Sequence, residues 1–339
     1  MKSIIDKILT YNSLSIAGLA KNTGKTETLN YVLKNLRCCS SKIAVTSIGV
    51  DGETIDAVTA TAKPEILVFP SMLFTTTERH YKMSRLTSEI LDISTQNTPL
   101  GRLLTAKAHS CGKVLLSGPS DTTSLKEVIT KNNILGANIT IVDGALSRLS
   151  QASPCITDAV ILATGAAISA NIKQIVRHTK YICDLVNLTT IDNCFLQKLS
   201  VINKGMYAID KEGNIFDLGI HSALSLNSET VIALPKNTIM LFVAGAITDK
   251  LLSYLKMQTY IKDILLVVRD FTKIFASLET YLAFLQKGGQ IKVLYQTKLL
   301  ALTVNPVAPQ GYVLNSNEIQ NALKEVIDVP IYDIKMLKE

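Results

Sequence analysis

Short apolar runs without strict alternation recur through the first half of the chain, and most are followed by glycine, aspartate or threonine. Residues 13–17, 43–48, 65–69, 139–142 and 159–163 read as strands of this kind, with further strands at 90–94, 102–109 and 113–117. Between them, 27–36, 124–135 and 168–179 are compatible with helix. In 124–135, Leu125, Val128 and Ile129 share one face and Gly136 supplies the stop. Residues 75–82 are expected to be helical, with threonines as N-cap. Apolar strands separated by helices predict a parallel sheet covered on both faces. Right-handed crossovers then gather the loops that follow the strands on one edge, where such folds bind ligands.

The pattern changes after about residue 188. Residues 206–218 read as a hairpin around Lys211-Glu212-Gly213-Asn214. Strands are expected at 231–234, 239–244, 264–268, 291–295 and 299–304, with helices at 249–257, 278–286 and 316–327. The length of 339 residues fits two domains. The expected division is 1–188 for the first and 189–339 for a second, smaller α/β domain that engages a partner. No Pro/Ser-rich linker marks the boundary.

Composition narrows the picture. Hydrophobic residues make up 47% and charged residues 19%, which supplies a large core and leaves a sparsely charged surface suited to a partner interface. The net charge is +7, but the lysines are spread along the chain. No Lys/Arg run alternates with aromatics, so a nucleic-acid groove is not expected. The cysteines (Cys38, Cys39, Cys111, Cys155, Cys183, Cys194) form no Cys-x-x-Cys pair, and the histidines have no metal-like spacing. With no signal peptide, the expected setting is a reduced cytoplasm. The longest apolar run, 238–248, is too short to cross a bilayer.

Candidate chemistry concentrates in Gly18-Leu19-Ala20-Lys21-Asn22-Thr23-Gly24-Lys25-Thr26, between the first strand and the first long helix. A glycine-rich loop at this place points backbone N–H groups at a phosphate, and the helix N-terminus adds partial positive charge. Lys25 would reach the β- and γ-phosphates, and Thr26 would offer its hydroxyl to Mg²⁺. Five residues separate Gly18 from Gly24, where the common pattern has four. The expected phosphate-contacting set is Gly18, Lys21, Asn22, Thr23, Gly24, Lys25 and Thr26. Asp143 closes the strand 139–142 and would hold Mg²⁺ opposite the loop. Asp51, after the second strand, is a further candidate for metal or for the attacking water, with Glu53 as a weaker substitute. Lys25, Asp51 and Asp143 form the expected catalytic set, and Thr26, Asp51 and Asp143 the metal set. Arg148 lies just beyond the Asp143 loop and reads better as a surface residue. Asn203-Lys204-Gly205-Met206 lacks the aspartate of a guanine-reading motif, which favours ATP over GTP.

Several strings carry a resemblance. They are the loop itself, Thr46-Ser47-Ile48-Gly49-Val50-Asp51-Gly52-Glu53, Asn97-Thr98-Pro99-Leu100-Gly101 and Val142-Asp143-Gly144-Ala145-Leu146-Ser147-Arg148. Ser153 to Asp158, Ala163-Thr164-Gly165 and Asn305-Pro306 with Gly311-Tyr312 continue it. The loop spacing is similar to that of dethiobiotin synthetases, and its lysine-to-threonine portion resembles molybdopterin-guanine dinucleotide adaptor proteins. Over nearly the full length the chain resembles the nucleotide-binding subunit of lysine 5,6-aminomutase reactivases. The resemblance implies a P-loop NTPase domain with a mostly parallel, doubly wound sheet, with ATP and Mg²⁺ as cofactors. It also implies partners: the adenosylcobalamin-dependent aminomutase, from which damaged cobalamin is released, and a second subunit similar to MutS ATPases. Two other readings stay open on the residues, a dethiobiotin synthetase-type ligase and a GTP-dependent metallochaperone. The missing His/Cys cluster and guanine motif weigh against the latter.

Overall fold

The computed structural model describes residues 2–37, 42–49, 65–145, 152–153, 156–226 and 232–336. The chain begins α1 (Lys2–Ile8), β1 (Ser13–Gly18), α2 (Lys25–Leu36), β2 (Ile43–Ser47), β3 (Ile66–Val68), β4 (Leu73–Thr77), α3 (Glu78–Met83). It continues β5 (Ser88–Thr98), β6 (Gly101–Ala108), β7 (Gly112–Val114), α4 (Thr122–Ile134), β8 (Ile139–Ala145), β9 (Ala159–Gly165), α5 (Ile172–Val186). Next come α6 (Asn193–Ser200), β10 (Met206–Asp210), β11 (Ile215–Asp217), β12 (Thr238–Val243), β13 (Ile247–Thr248), α7 (Asp249–Leu255), β14 (Leu265–Val268). The last elements are β15 (Ile274–Phe275), α8 (Leu278–Gln286), β16 (Gln290–Val293), β17 (Lys298–Asn305), α9 (Ser316–Lys324) and β18 (Ile331–Asp333). No described helix is long and apolar enough to cross a membrane.

Contacts divide the chain into two units, residues 1–180 with 298–339, and residues 181–297. This differs from the expected boundary at 188/189. The last forty or so residues return to the first unit because β17 pairs in parallel with β9, and β18 with β17. The pairing partner of β17 lies more than a hundred residues back in the chain, so no local pattern announces it.

The first unit is built on a nine-stranded sheet of order β18-β17-β9-β1-β8-β2-β4-β6-β5. From β18 to β4 every neighbouring pair is parallel. The hairpin β5–β6 adds antiparallel pairing at one edge. The helix expected over 75–82 is the shorter α3, with Thr77 at its N-cap position but no side-chain cap hydrogen bond, while Thr75, Thr76 and Thr77 are residues of β4. Their β-branched side chains are all buried, Thr75 bonds Thr105 across the pair (3.1 Å) and Thr76 donates to the Leu115 carbonyl (2.6 Å). The run 65–69 forms β3, which among the described residues pairs with β7 in a small separate ribbon.

Alternation along β1 sorts its residues between the two faces. Leu14 and Ile16 join the large apolar core with Leu29, Val32, Leu33 and Leu36 of α2. Those α2 positions recur at three- and four-residue spacing, and each fully buried leucine contributes about 2 kcal/mol. The helix thereby fixes the axis along which the loop Gly18–Thr26 must leave the sheet. β1 leads on to β2 on one side, while its neighbour β9 is followed in this sheet by β17 on the other. The connections diverge at β1 and β9, and a crevice at their carboxyl ends is the usual ligand position in such sheets.

The second unit is a five-stranded sheet, β11-β10-β12-β14-β16. β12, β14 and β16 are parallel, and the hairpin β10–β11 is antiparallel as its turn residues predict. Ile209, Met240, Phe242 and Val267 pack with Ile191 and Leu199. Residues 232–234 form no strand. The helix α6 and the strand β18 are elements the apolar pattern does not announce.

Candidate functional site

The loop is held in shape from several directions. Leu19 is buried and donates its N–H to the Ala163 carbonyl of β9 (2.8 Å). Thr23 is buried, and its hydroxyl donates to the Ala20 carbonyl (2.9 Å), closing the turn on itself. Asn22 takes a left-handed φ of 63°, which asparagine tolerates better than most residues. The Asn305 carboxamide, at the end of β17, donates to the Asn22 carbonyl (3.0 Å). Gly24 caps α2 with φ 85° and ψ 19°, and no side chain caps the helix. The first N–H groups of a helix have no intrahelical partner, so this start presents donors and positive potential to an anion. Thr28 ties the helix down. Its hydroxyl shares a hydrogen bond with Thr303 of β17 (2.9 Å) and lies 3.1 Å from the Gly24 carbonyl.

Lys25 opens α2, and its ammonium lies 2.9 Å from Asp143 Oδ1. Both side chains are mostly buried, with 23% and 16% of their surface exposed. Asp143 is a strand residue, inside β8, where the sequence places it just beyond the strand. In register it stands beside Ile16 of β1 and Ser47 of β2. The Ser47 hydroxyl donates to the Asp143 carbonyl (3.2 Å), which fixes the backbone beneath the carboxylate. The strand after which the loop leaves and the strand that carries the carboxylate are immediate neighbours. Lysine and aspartate thus converge at one edge without any long side-chain reach.

Of the other expected residues, Gly18 ends β1, Lys21 and Asn22 are exposed, and Thr26 is half-buried in the first turn of α2. Asp51, Glu53 and Arg148 lie outside the described residues. Cys111, Cys183 and Cys194 are not in disulfides. Asn203 accepts from Arg269 (2.8 Å) in the second unit.

Sequence reasoning gave no role to the bracing residues Asn305, Thr28, Thr303 and Ser47, nor to Gly165 as a point of backbone contact. Gly165 has φ 150°, and a Cβ there would stand 2.0 Å from the Asn305 carbonyl oxygen. Only a residue without a side chain lets β9 and β17 approach this closely beside the loop. The signal in the sequence is faint: Asn305-Pro306 ends an apolar run, which marks a strand end but not its neighbour.

Among the described residues no group of three or more His, Cys, Asp or Glu is placed to hold a metal ion. Mg²⁺ bound with a polyphosphate needs only one or two protein oxygens, the rest coming from phosphate and water. Asp143 and the Thr26 hydroxyl suit that requirement, whereas an all-protein metal cage would not be met by them. No protein-family model matches the chain, and no curated protein matches it.

Proposed function

We propose that this chain is a P-loop NTPase that binds ATP with Mg²⁺, and that it serves as the nucleotide-binding subunit of a reactivase for lysine 5,6-aminomutase. The observation that carries the nucleotide reading is the Lys25–Asp143 pair at 2.9 Å, set on a glycine loop whose helix has no side-chain cap. A cation, a carboxylate and free helix donors at adjacent strand ends are what a metal-complexed polyphosphate requires. The reactivase role is supported by the resemblance of the loop, the Thr46-to-Glu53 string and the Val142-to-Arg148 string.

In this reading the main-chain amides of Gly18 to Thr26 cradle the phosphates, and Lys25 leaves Asp143 to meet the β- and γ-phosphate oxygens. Asp143 and Thr26 would hold the metal ion, and Asp51 would orient water. A bound Mg²⁺ supplies neutralisation of charge on the β- and γ-phosphates. Asn305 and Thr23 keep the loop from collapsing when Lys25 changes partner. Nucleotide binding and hydrolysis would be coupled to opening of the aminomutase, together with a second, MutS-like subunit, so that damaged cobalamin leaves.

Titration calorimetry with Mg·ATP tests the first part. Binding is expected for the native chain, with a loss of at least about 100-fold in Lys25→Ala. Equal affinity in the two proteins would remove the assignment. Turnover measured with and without the aminomutase tests the second part. Stimulation by the protein partner supports the reactivase, whereas stimulation by a small-molecule acceptor alone would point to a ligase.

A further inference from the structure

The first turns of α5 and the end of α9 wall a groove on the first unit. Each helix is fixed from below. Ile175 and Thr179 of α5 are buried, and the Thr179 hydroxyl shares a hydrogen bond with Thr164 of β9 (2.7 Å). Ile319 and Leu323 of α9 are buried where that helix packs on β17 and β18. β9 and β17 are neighbours in the sheet, which sets the two helices close enough to share the groove. Its floor is apolar, with Ile172 and Val176 on one wall and Ala322 and Val326 on the other. Val326 keeps 41% of its surface exposed. An apolar strip that is concave, open to water and rimmed by charge marks a contact surface.

The rim is charged mainly on one side. Lys173, Arg177 and Lys180 follow at four- and three-residue spacing, so they share one face of α5. Like charges at that spacing weaken the helix that carries them. In a chain with only 19% charged residues, this stripe costs α5 stability. Among the groove's described lining residues Glu325 is the one carboxylate, so three cations face one anion. A channel between two helices suits a rod better than a flat surface. From Ile172 to Lys180 it runs about 12 Å, two turns of a helix laid alongside. An amphipathic helix seats in such a channel with apolar anchors at i, i+3, i+4 and i+7. We propose that the α5–α9 groove docks a short acidic amphipathic helix of a partner protein, its apolar face on Val176 and Val326 and its carboxylates against Lys173, Arg177 and Lys180. Sequence patterning expects partner binding in the second domain, whereas this surface lies on the first unit. It stands whether or not the loop binds nucleotide.

Fluorescence anisotropy on the full chain tests this with two synthetic helical peptides about four turns long. Both carry leucine at i, i+3, i+4 and i+7; one flanks them with glutamate and the other with lysine. The native chain is expected to bind the glutamate peptide at least about tenfold more tightly than the lysine peptide. Lys173→Glu with Arg177→Glu is expected to reverse that preference, and Val176→Asp to weaken the glutamate peptide by about tenfold or more. Lys211→Glu with Lys236→Glu makes the same charge change at exposed positions of the second unit and is expected to leave the preference intact. Melting temperatures check folding, and Val326→Asp at the exposed edge takes the place of Val176→Asp if that variant does not fold. No binding, equal binding of the two peptides, or an equal loss in the second-unit control overturns the proposal, the last because attraction would then follow net charge alone. Cosedimentation with phosphatidylserine vesicles that Lys173→Glu with Arg177→Glu abolishes, with peptide binding unaffected, would assign the face to a lipid surface and overturn it as well.

Discussion

The passage from β1 to α2 in the first unit and the passage from β12 to α7 in the second both lead a buried parallel strand into a helix. Their helix starts differ. α2 begins at a left-handed glycine with no side-chain cap. α7 begins at Thr248, whose hydroxyl accepts from the Leu251 N–H (3.4 Å), and α8 begins at Ser277, which accepts from Thr280 (3.3 Å). Their charges differ too. At the end of β14, Asp270 accepts from the Thr272 N–H (2.9 Å) and hydroxyl, and Arg269 donates to Ser200, Ile202 and Asn203. Asp270 thus caps its own turn, and Arg269 ties the distant 200–203 segment to the end of β14. Among the described residues, the Lys25 ammonium and the Asp143 carboxylate pair with each other. Parallel strands alone carry neither feature. A helix start without a side-chain cap hydrogen bond and a lysine–aspartate ion pair distinguish one edge from the other.

Substitutions can break that contrast. The largest effect is expected for Gly165→Ala, where the new methyl would meet the Asn305 backbone at 2.0 Å and φ is 150°. Backbone cannot swing aside as a side chain can, so a loss of about 3 kcal/mol or more is expected, read as a fall in melting temperature. Asp143→Asn is expected to retain Mg·ATP binding and to slow hydrolysis by on the order of 100-fold. Single-turnover phosphate release checks this, and full turnover would move the catalytic role elsewhere, with Asp51 the next candidate. Thr248→Ala in the second unit removes a helix cap and should cost about 1 kcal/mol without altering nucleotide affinity. Denaturant unfolding followed by calorimetry separates the two readouts. The smallest effect is expected for Gly245→Ala, just after β12. None of the described residues has an atom within 4 Å of a Cβ there, so the stability change should stay within about 0.5 kcal/mol. A large loss at Gly245 would show that the second unit's strand end is as tightly constrained as the first's.

Much of the site was legible because its signals are local. A glycine-bounded loop with Lys25 and Thr26 can be read between an apolar strand and a helix without knowing any neighbour. Asp143 was legible as the carboxylate closing an apolar run, though it lies within the strand. Thr75 to Thr77 misled only over where α3 starts: burial between β2 and β6 keeps them in β4, and Thr77 then stands at the N-cap position of α3. The division near 188 misled for a related reason. A change of pattern marks a new unit but does not reveal that the chain later returns.

The amino-acid order by itself determined the strands, the helix faces and the chemistry available at the loop, since each depends on residues a few positions apart. Tertiary structure alone decided which strands became neighbours. Pairing of β1 with β8 brought Lys25 to Asp143, and the return of β17 brought Asn305 to Asn22. Contacts between such distant segments are chosen by competition among all the apolar strands for a place in one sheet, and that competition is settled only when the whole core closes.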